Sequence, residues 1–264
     1  MPAENPPSGR LLVEEDDGIL TARISNPERA NALDAAILDQ IVSLLHGPRA
    51  AAARVVLLAG DGERHFSAGL DLTEREPEEL AAELQDGERR LGNAAHAIAA
   101  SPVPVIGVMN GAAIGGALEL AIACDWRIAR RGARLAMPAA RIGVVYAADG
   151  LRRFVAAMGP ARTRRLFLTA APIEANEAFE VGLVDQVVEA EDLWPTARAA
   201  ARAVGQSAPL AVAGTRAIIT ALSEGPESIQ ETAQSARARA FASEDFREGL
   251  AAFREKRPPR FEGK

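Results

Sequence analysis

The run Pro104–Asp125, PVIGVMNGAAIGGALELAIACD, constrains this chain more than any other stretch, because glycine pairs stand between an apolar strand-like segment and a helix carrying one carboxylate. Val103, Val105, Ile106, Val108 and Met109 form a short, largely β-branched run that predicts a buried strand, which Asn110-Gly111 and Gly115-Gly116 then break. A helix is expected from about Ala117 to Cys124. The first N–H groups of a helix have no partner within it, and the macrodipole adds partial positive charge there, so an oxygen that turns negative is stabilised at that point. Gly116 has no side chain to hold a ligand away from its N–H. Glu119, three residues on, shares that face and can reach atoms beside a carbonyl polarised there. Taken alone, Glu119 could equally be a first-turn acid complementing the dipole. Pro102, Pro104 and the glycine pairs cut the apolar stretch into pieces too short to cross a bilayer, which argues against a membrane protein.

Short β-like runs (LLVEEDDGILTARI, RVVLLAG, PVIGVMN, RLAMP, LVDQVV) alternate with helical patterns from Leu11 to Val188, an α/β signal. From about Leu193 only helical patterns remain, separated by GQSAP and EGP breaks. The chain therefore reads as a flexible leader (1–10), an α/β core (11–192) and a helical region (193–264). At 264 residues and 48% hydrophobic it can bury a substantial core. A net charge of −6 and no basic stripe argue against nucleic acid as a partner. The single cysteine, Cys124, excludes an internal disulfide, fits a cytoplasmic location and reads as buried packing. The start MPAENPPSGR has neither the basic nor the apolar region of a signal peptide. His46, His65 and His96 have no ligand spacing, so no metal is expected.

A second motif, FSAGLDL (Phe66–Leu72), follows the strand-like RVVLLA and places Gly69 directly before Leu70. With NGAAIGGALELAIACD, SNPERANALD (Ser25–Asp34), LTAAPIEANEAFEVGLVDQVV (Leu168–Val188), SAPLAV and SEDFREGLAAFREKRPPRF (Ser243–Phe261), it resembles the enoyl-CoA hydratase/isomerase, or crotonase, superfamily. The likeness runs in order over nearly everything after the first ten residues. It implies the crotonase (ClpP-like) spiral of ββα units with a C-terminal helical trimerisation region, assembled as a homotrimer or homohexamer. It also implies a substrate carrying coenzyme A, with no tightly bound cofactor. In the family a thioester oxygen sits between two backbone N–H groups and an enolate forms there. By resemblance the donors are Leu70 and Gly116, and Glu119 is the acid/base. Losing one such donor typically costs about 3–4 kcal/mol of barrier.

The resemblance places substrate contacts along two loops, at Arg29, Ala30, Ser67, Ala68, Leu70, Asp71 and Leu72, and at the turn Gly115-Gly116. It adds Lys256 of the EKR element, one of only two lysines, and Phe261. Asp71 also reads as a residue that caps or braces its own loop. Family hydratases pair two glutamates, and alignment through MPAARIG puts Ala139 where the second belongs. Weak hydration follows as an expectation. Tyr146, the only tyrosine, stands where a methylmalonyl-CoA decarboxylase branch carries one, although that branch has histidine at Leu70 and threonine at Pro138. Three readings stay open: hydration or double-bond isomerisation through Glu119, decarboxylation of a malonyl-CoA-type thioester using Tyr146, or acyl-CoA binding without catalysis. Asp149, before Gly150 and LRRFVAAM, is expected to cap a helix, while the aspartate some relatives use falls at Ala147.

Overall fold

The computed structural model describes residues 9–72, 77–224 and 229–264. It opens with an antiparallel hairpin, β1 (Arg10–Asp16) and β2 (Ile19–Ser25), turned by Asp17 and Gly18 at φ of 50° and 71°. Both central positions of such a two-residue turn need left-handed backbone, which Asp-Gly tolerates. Next come α1 (Ala35–Leu45), capped by the Asp34 carboxylate accepting from the Ile37 N–H at 2.8 Å, and the short α2 (Pro48–Ala52).

Three repeats then build the spiral. β3 (Val55–Gly60) and β4 (His65–Ser67) lead into α3 (Pro77–Ala99); β5 (Val105–Met109) and β6 (Ala112–Ile114) lead into α4 (Gly116–Ala123); β7 (Trp126–Arg130) and β8 (Arg134–Ala136) lead into α5 (Ala148–Thr169). In each repeat the first strand joins a large sheet that begins β1-β2-β3-β5-β7 and the second joins a smaller sheet that begins β4-β6-β8, both parallel over these strands from β2 and β4 onward. The edge strands β9 (Ile173–Glu174) and β10 (Gln186–Val188) flank α6 (Ala175–Glu180) and close the small and the large sheet respectively. This is the ββα spiral that the resemblance implies. β3 and β5 are buried at every residue, as strands covered on both faces must be.

Two buried asparagines tie successive repeats together. Asn110 accepts from the Gly60 N–H at 2.9 Å and donates to the Gly62 carbonyl at 2.8 Å, and Asn31 donates to the carbonyls of Asp61 and His65 at 2.9 and 3.0 Å. α1, α3 and α4 share one core with the large sheet's first face. α7 (Leu193–Gly205) covers the other face, where Leu193, Ala197 and Ala201 meet Val55, Leu57 and Ile106. The chain ends in α8 (Pro209–Glu224), α9 (Ile229–Ala242) and α10 (Glu244–Glu255), a helical C-terminal region. Arg216 fastens α8 to the core, with its Nε at 2.6 Å from Asp125 and its Nη2 donating to the Ile98 carbonyl at 2.8 Å.

Some local expectations change. α5 begins at Ala148 with Ala147 at its N-cap, so Asp149 lies inside the first turn, exposed and paired with Arg152 at 3.1 Å, and does not cap. The helix also continues past Gly159-Pro160, where Gly159 (φ 76°) makes a kink, into ARTRRLFLT. β7 is a central strand although its sequence is WRIAR: the buried Arg127 guanidinium is paired through Nη2 with Asp185 at 2.6 Å and through Nη1 with the Cys124 carbonyl at 3.1 Å.

Candidate active site

The site grows out of two glycine turns at the ends of β4 and β6. Phe66 and Ser67 are fully buried, and the Ser67 Oγ accepts from the Gly69 N–H at 3.1 Å. The Gly69 carbonyl accepts from the Leu33 N–H at 2.7 Å and the Asp71 N–H donates to the Leu33 carbonyl at 3.1 Å. That parallel bridge uses the groups on either side of Leu70 and turns the Leu70 N–H the other way, where it has no backbone acceptor among the described residues. Gly69 sits at φ 92°, and a Cβ there would lie 2.5 Å from the Ile114 carbonyl oxygen and 3.4 Å from the Gly116 nitrogen. Only glycine lets these two turns approach so closely.

Across that contact, Gly115 (φ 57°) donates to the Ala136 carbonyl at 2.9 Å, and Gly116 presents the first N–H of α4, which has no partner within the helix. Every residue of α4 is buried, so its dipole acts in a poorly screened surrounding. Leu91 of α3 lies over Gly116, 2.8 Å from where a Cβ would be, and Gly87, one turn earlier, faces Leu70. The structure thus brings Leu70 and Gly116 side by side beneath one turn of α3.

Glu119 is 3% exposed. Its Oε2 accepts from the Tyr146 hydroxyl at 2.6 Å and its Oε1 from Arg153 Nη1 at 3.3 Å. Burial raises the proton affinity of this carboxylate above the usual range, opposed by the Tyr146 hydrogen bond and the Arg153 charge, with Glu88 and Asp149 adding smaller upward pushes. The Tyr146 phenol is held well above its ordinary range, first by burial and then by the charge and hydrogen bond of Glu119. Its ring is fixed edge-on against Phe167 at 5.3 Å, and Phe167 in turn meets Phe154 at 5.0 Å. Gly150 backs this pair: a Cβ there would stand 2.6 Å from Tyr146 Cε1 and 3.0 Å from Glu119 Oε2. Glu119 and Tyr146 open on a cavity of about 1020 Å³ between α3, α4, α5 and α8. A second cavity, about 1040 Å³, lies between α8, α9 and the end of α3 and touches none of these groups.

The two loops expected to meet the substrate are joined. Ala30 (φ 52°) accepts from the Ala68 N–H at 3.0 Å, and Arg29 pairs with Asp71 at 2.5 Å, so Asp71 braces the FSAGL loop against SNPERAN. Leu72 is 40% exposed beyond them. Ser67 serves the turn through its Oγ and is 0% exposed. Lys256 closes α10 as an exposed left-handed residue, and the Phe261 carbonyl accepts from Arg54 Nη2 at 2.7 Å; neither lines the Glu119 cavity. Ala139 is buried at the start of a 3-10 turn, next to Pro138, which faces Gly115. Cys124 is buried, its thiol pushed up to about 12 by burial. Sequence reasoning missed Arg153, Gly150 and Glu88. The spacing of Arg153 one turn after Asp149 was available, but nothing local says which residue of another helix it meets.

Comparison with known proteins gives the family. The family model described as enoyl-CoA hydratase/isomerase matches residues 14–264. The chain belongs to the enoyl-CoA hydratase/isomerase family. Similar proteins include a crotonyl-CoA hydratase of Syntrophomonas wolfei, 33% identical over 95% of this chain and 97% of that protein. A carnitinyl-CoA dehydratase of Salmonella enteritidis is also 33% identical, over 97% of this chain and all of the relative. Among solved structures, an enoyl-CoA hydratase from Bacillus anthracis superposes with a TM-score of 0.87 at 28% identity, over 96% of this chain and 99% of that one. This member of the hydratase/isomerase family is accordingly an enzyme of acyl-CoA thioesters. Among the described residues no helix is long and apolar enough to cross a membrane.

Proposed function

We propose that the enzyme moves a proton beside an acyl-CoA carbonyl through an enolate, relocating a double bond, with Leu70 and Gly116 N–H groups holding the oxyanion and Glu119 as acid/base. The observation that carries the reading is the buried Glu119 carboxylate, held by Tyr146 at 2.6 Å, three residues after the unpartnered first N–H of α4. Preorganised donors supply the stabilisation that a thioester α-carbanion lacks in water. Hydration is expected to be weak, because Ala139 offers a methyl where family hydratases have a second carboxyl group. Decarboxylation through Tyr146 is less favoured: its proton is committed to Glu119, and a phenolate beside that carboxylate is costly. Tyr146 here positions Glu119.

The CoA portion would run along the loops that the Ala68–Ala30 hydrogen bond and the Arg29–Asp71 pair join, past Arg29, Ala30, Asp71 and Leu72. Lys256 and Phe261 lie outside the Glu119 cavity and would act on a neighbouring subunit's CoA. Exposed apolar side chains on α10, with Phe253 83% exposed, support the trimer or hexamer as the assembly, which light scattering would measure.

The test is NMR-detected deuterium exchange at the α-carbon of butyryl-CoA in D2O. Exchange lost in Glu119→Gln supports enolate chemistry with that base. Tight binding with no exchange in the wild type would instead make this an acyl-CoA binding protein or a decarboxylase, and malonyl-type thioesters would decide between those.

A further inference from the structure

Relocating a double bond requires two proton transfers at carbons two positions apart, and Glu119 is poorly built to make both. Tyr146 and Arg153 hold one oxygen each, and Gly150 approaches so closely that a single added methyl would touch both Tyr146 and the carboxylate. A side chain clamped at both oxygens in a filled space does not swing along an acyl chain. A second proton-transfer group along the cavity would complete the chemistry, and Ala139 is not one.

The cavity contains such a group. Gln85, Glu88, Gly92, His96 and Ala99 form one stripe of α3 at helical spacing, and all line the same cavity as Glu119 and Tyr146. Glu88 lies in the turn that also carries Gly87 against Leu70 and Leu91 over Gly116, so it belongs to the part of α3 that roofs the oxyanion donors. It is half-buried. In a chain with 28 arginines, it has no hydrogen bond or ion pair among the described residues, whereas the other α3 charges beside it are paired: Asp86 with Arg89 at 2.5 Å and with Arg90 at 2.6 Å. Its charge is nevertheless felt by both Glu119 and Tyr146. An unpaired carboxylate facing the cavity on which Glu119 opens is costly to leave half-buried, and groups placed so are functional-site candidates.

We infer that Glu88 is the second acid/base residue, serving the γ-carbon of the acyl chain while Glu119 serves the α-carbon; this rests on the enolate reading above. In the direction from conjugated to unconjugated thioester, the Glu88 carboxylate takes a proton from Cγ and the C–H electron pair becomes the new Cβ–Cγ double bond. The Cα–Cβ π pair becomes the double bond between Cα and the carbonyl carbon, and the carbonyl π pair moves onto the thioester oxygen, where the Leu70 and Gly116 N–H groups hold it. The enolate electrons then return to Cα, which takes the proton of Glu119 in its acid form. Glu88 releases its proton to, and Glu119 regains one from, solvent. The reverse reaction uses the same two groups in opposite protonation states.

The experiment reads the two carbons separately by NMR in D2O: deuterium at Cα of butyryl-CoA and deuterium at Cγ of trans-2-hexenoyl-CoA, for wild type, Glu119→Gln, Glu88→Gln and Glu88→Asp. Glu88→Gln is expected to lower γ-exchange by about 100-fold, within the usual range for a general acid/base, and the ratio of γ- to α-exchange at least tenfold. Glu88→Asp recovers part of the γ-exchange. Unchanged γ-exchange in Glu88→Gln, or an equal fall at both carbons, overturns the role of Glu88 alone. Absence of α-exchange in the wild type, or α-exchange indifferent to Glu119→Gln, overturns the enolate reading and this assignment with it.

Discussion

Replacing Tyr146 by phenylalanine removes one hydroxyl and keeps the ring against Phe167. The Glu119 carboxylate loses its shorter hydrogen bond, 2.6 Å, and keeps only the 3.3 Å contact from Arg153. Hydrogen bonds to charged groups contribute about 1.5–3 kcal/mol. All of that favoured the ionised form, so its loss makes Glu119 easier to protonate. At about 1.4 kcal/mol per pH unit, the acid limb of α-proton exchange should move up by about one to two pH units. At a pH well above that limb the exchange rate should change far less than at its foot. The assay is deuterium exchange of butyryl-CoA from acid to neutral pH, in the wild type and Tyr146→Phe. The same variant should lose stability at neutral pH, where a buried carboxylate has lost a donor, and recover toward the wild type in acid, where Glu119 is protonated in both. An acid limb that stays in place, or moves down, would falsify the claim that this hydroxyl supports the ionised form of Glu119.

Three further outcomes follow from the same geometry. Gly150→Ala drives a methyl into Tyr146 Cε1 and should reproduce the upward shift of the acid limb with the hydroxyl still present, whereas an unaltered pH profile would show that the ring yields without breaking the bond. Gly69→Ala combines a strained φ with a 2.5 Å approach to the Ile114 carbonyl; it should cost about 2–5 kcal/mol in denaturant melts and abolish exchange by separating the oxyanion donors. For Glu119→Gln the sign runs through linkage: burial raises the folded-state value above the unfolded one, so this group's contribution is fully present in acid and is lost as pH rises through the folded value. Glu119→Gln should therefore melt higher than the wild type at neutral pH, by about 2–4 °C for each kcal/mol relieved, with the advantage fading below about pH 4. A calorimetric scan showing equal melting at both pH values would contradict it.

How the readable and unreadable parts divide has a physical basis. The glycine turns were legible because left-handed backbone and close approach admit almost no other residue, so FSAGL and AIGGA announce a backbone shape in one dimension. β3, β5 and α1 were legible for a similar reason: their apolar patterns answer to local burial. β7 was not, since Arg127 looks solvent-facing until Asp185, from a distant loop, is seen to neutralise it. Strands of two or three residues such as β4, β6 and β9 are too short to repeat a pattern, and only the ladder to a neighbour defines them. Asp149 illustrates the limit of capping rules, because α5 starts at Ala148 with Ala147 at its N-cap and leaves Asp149 inside the first turn.

The sequence by itself determined the kind of fold, the two glycine turns, and the place of Glu119 three residues after Gly116, because the turns and that spacing depend on residues within a few positions of one another. Only the tertiary structure decided what Glu119 is: a group clamped by Tyr146 from one loop and Arg153 from one helix, facing Glu88 from another. Proton affinity depends on burial and on charges a few ångströms away, and those distances come into being only when α3, α4 and α5 close around the same cavity.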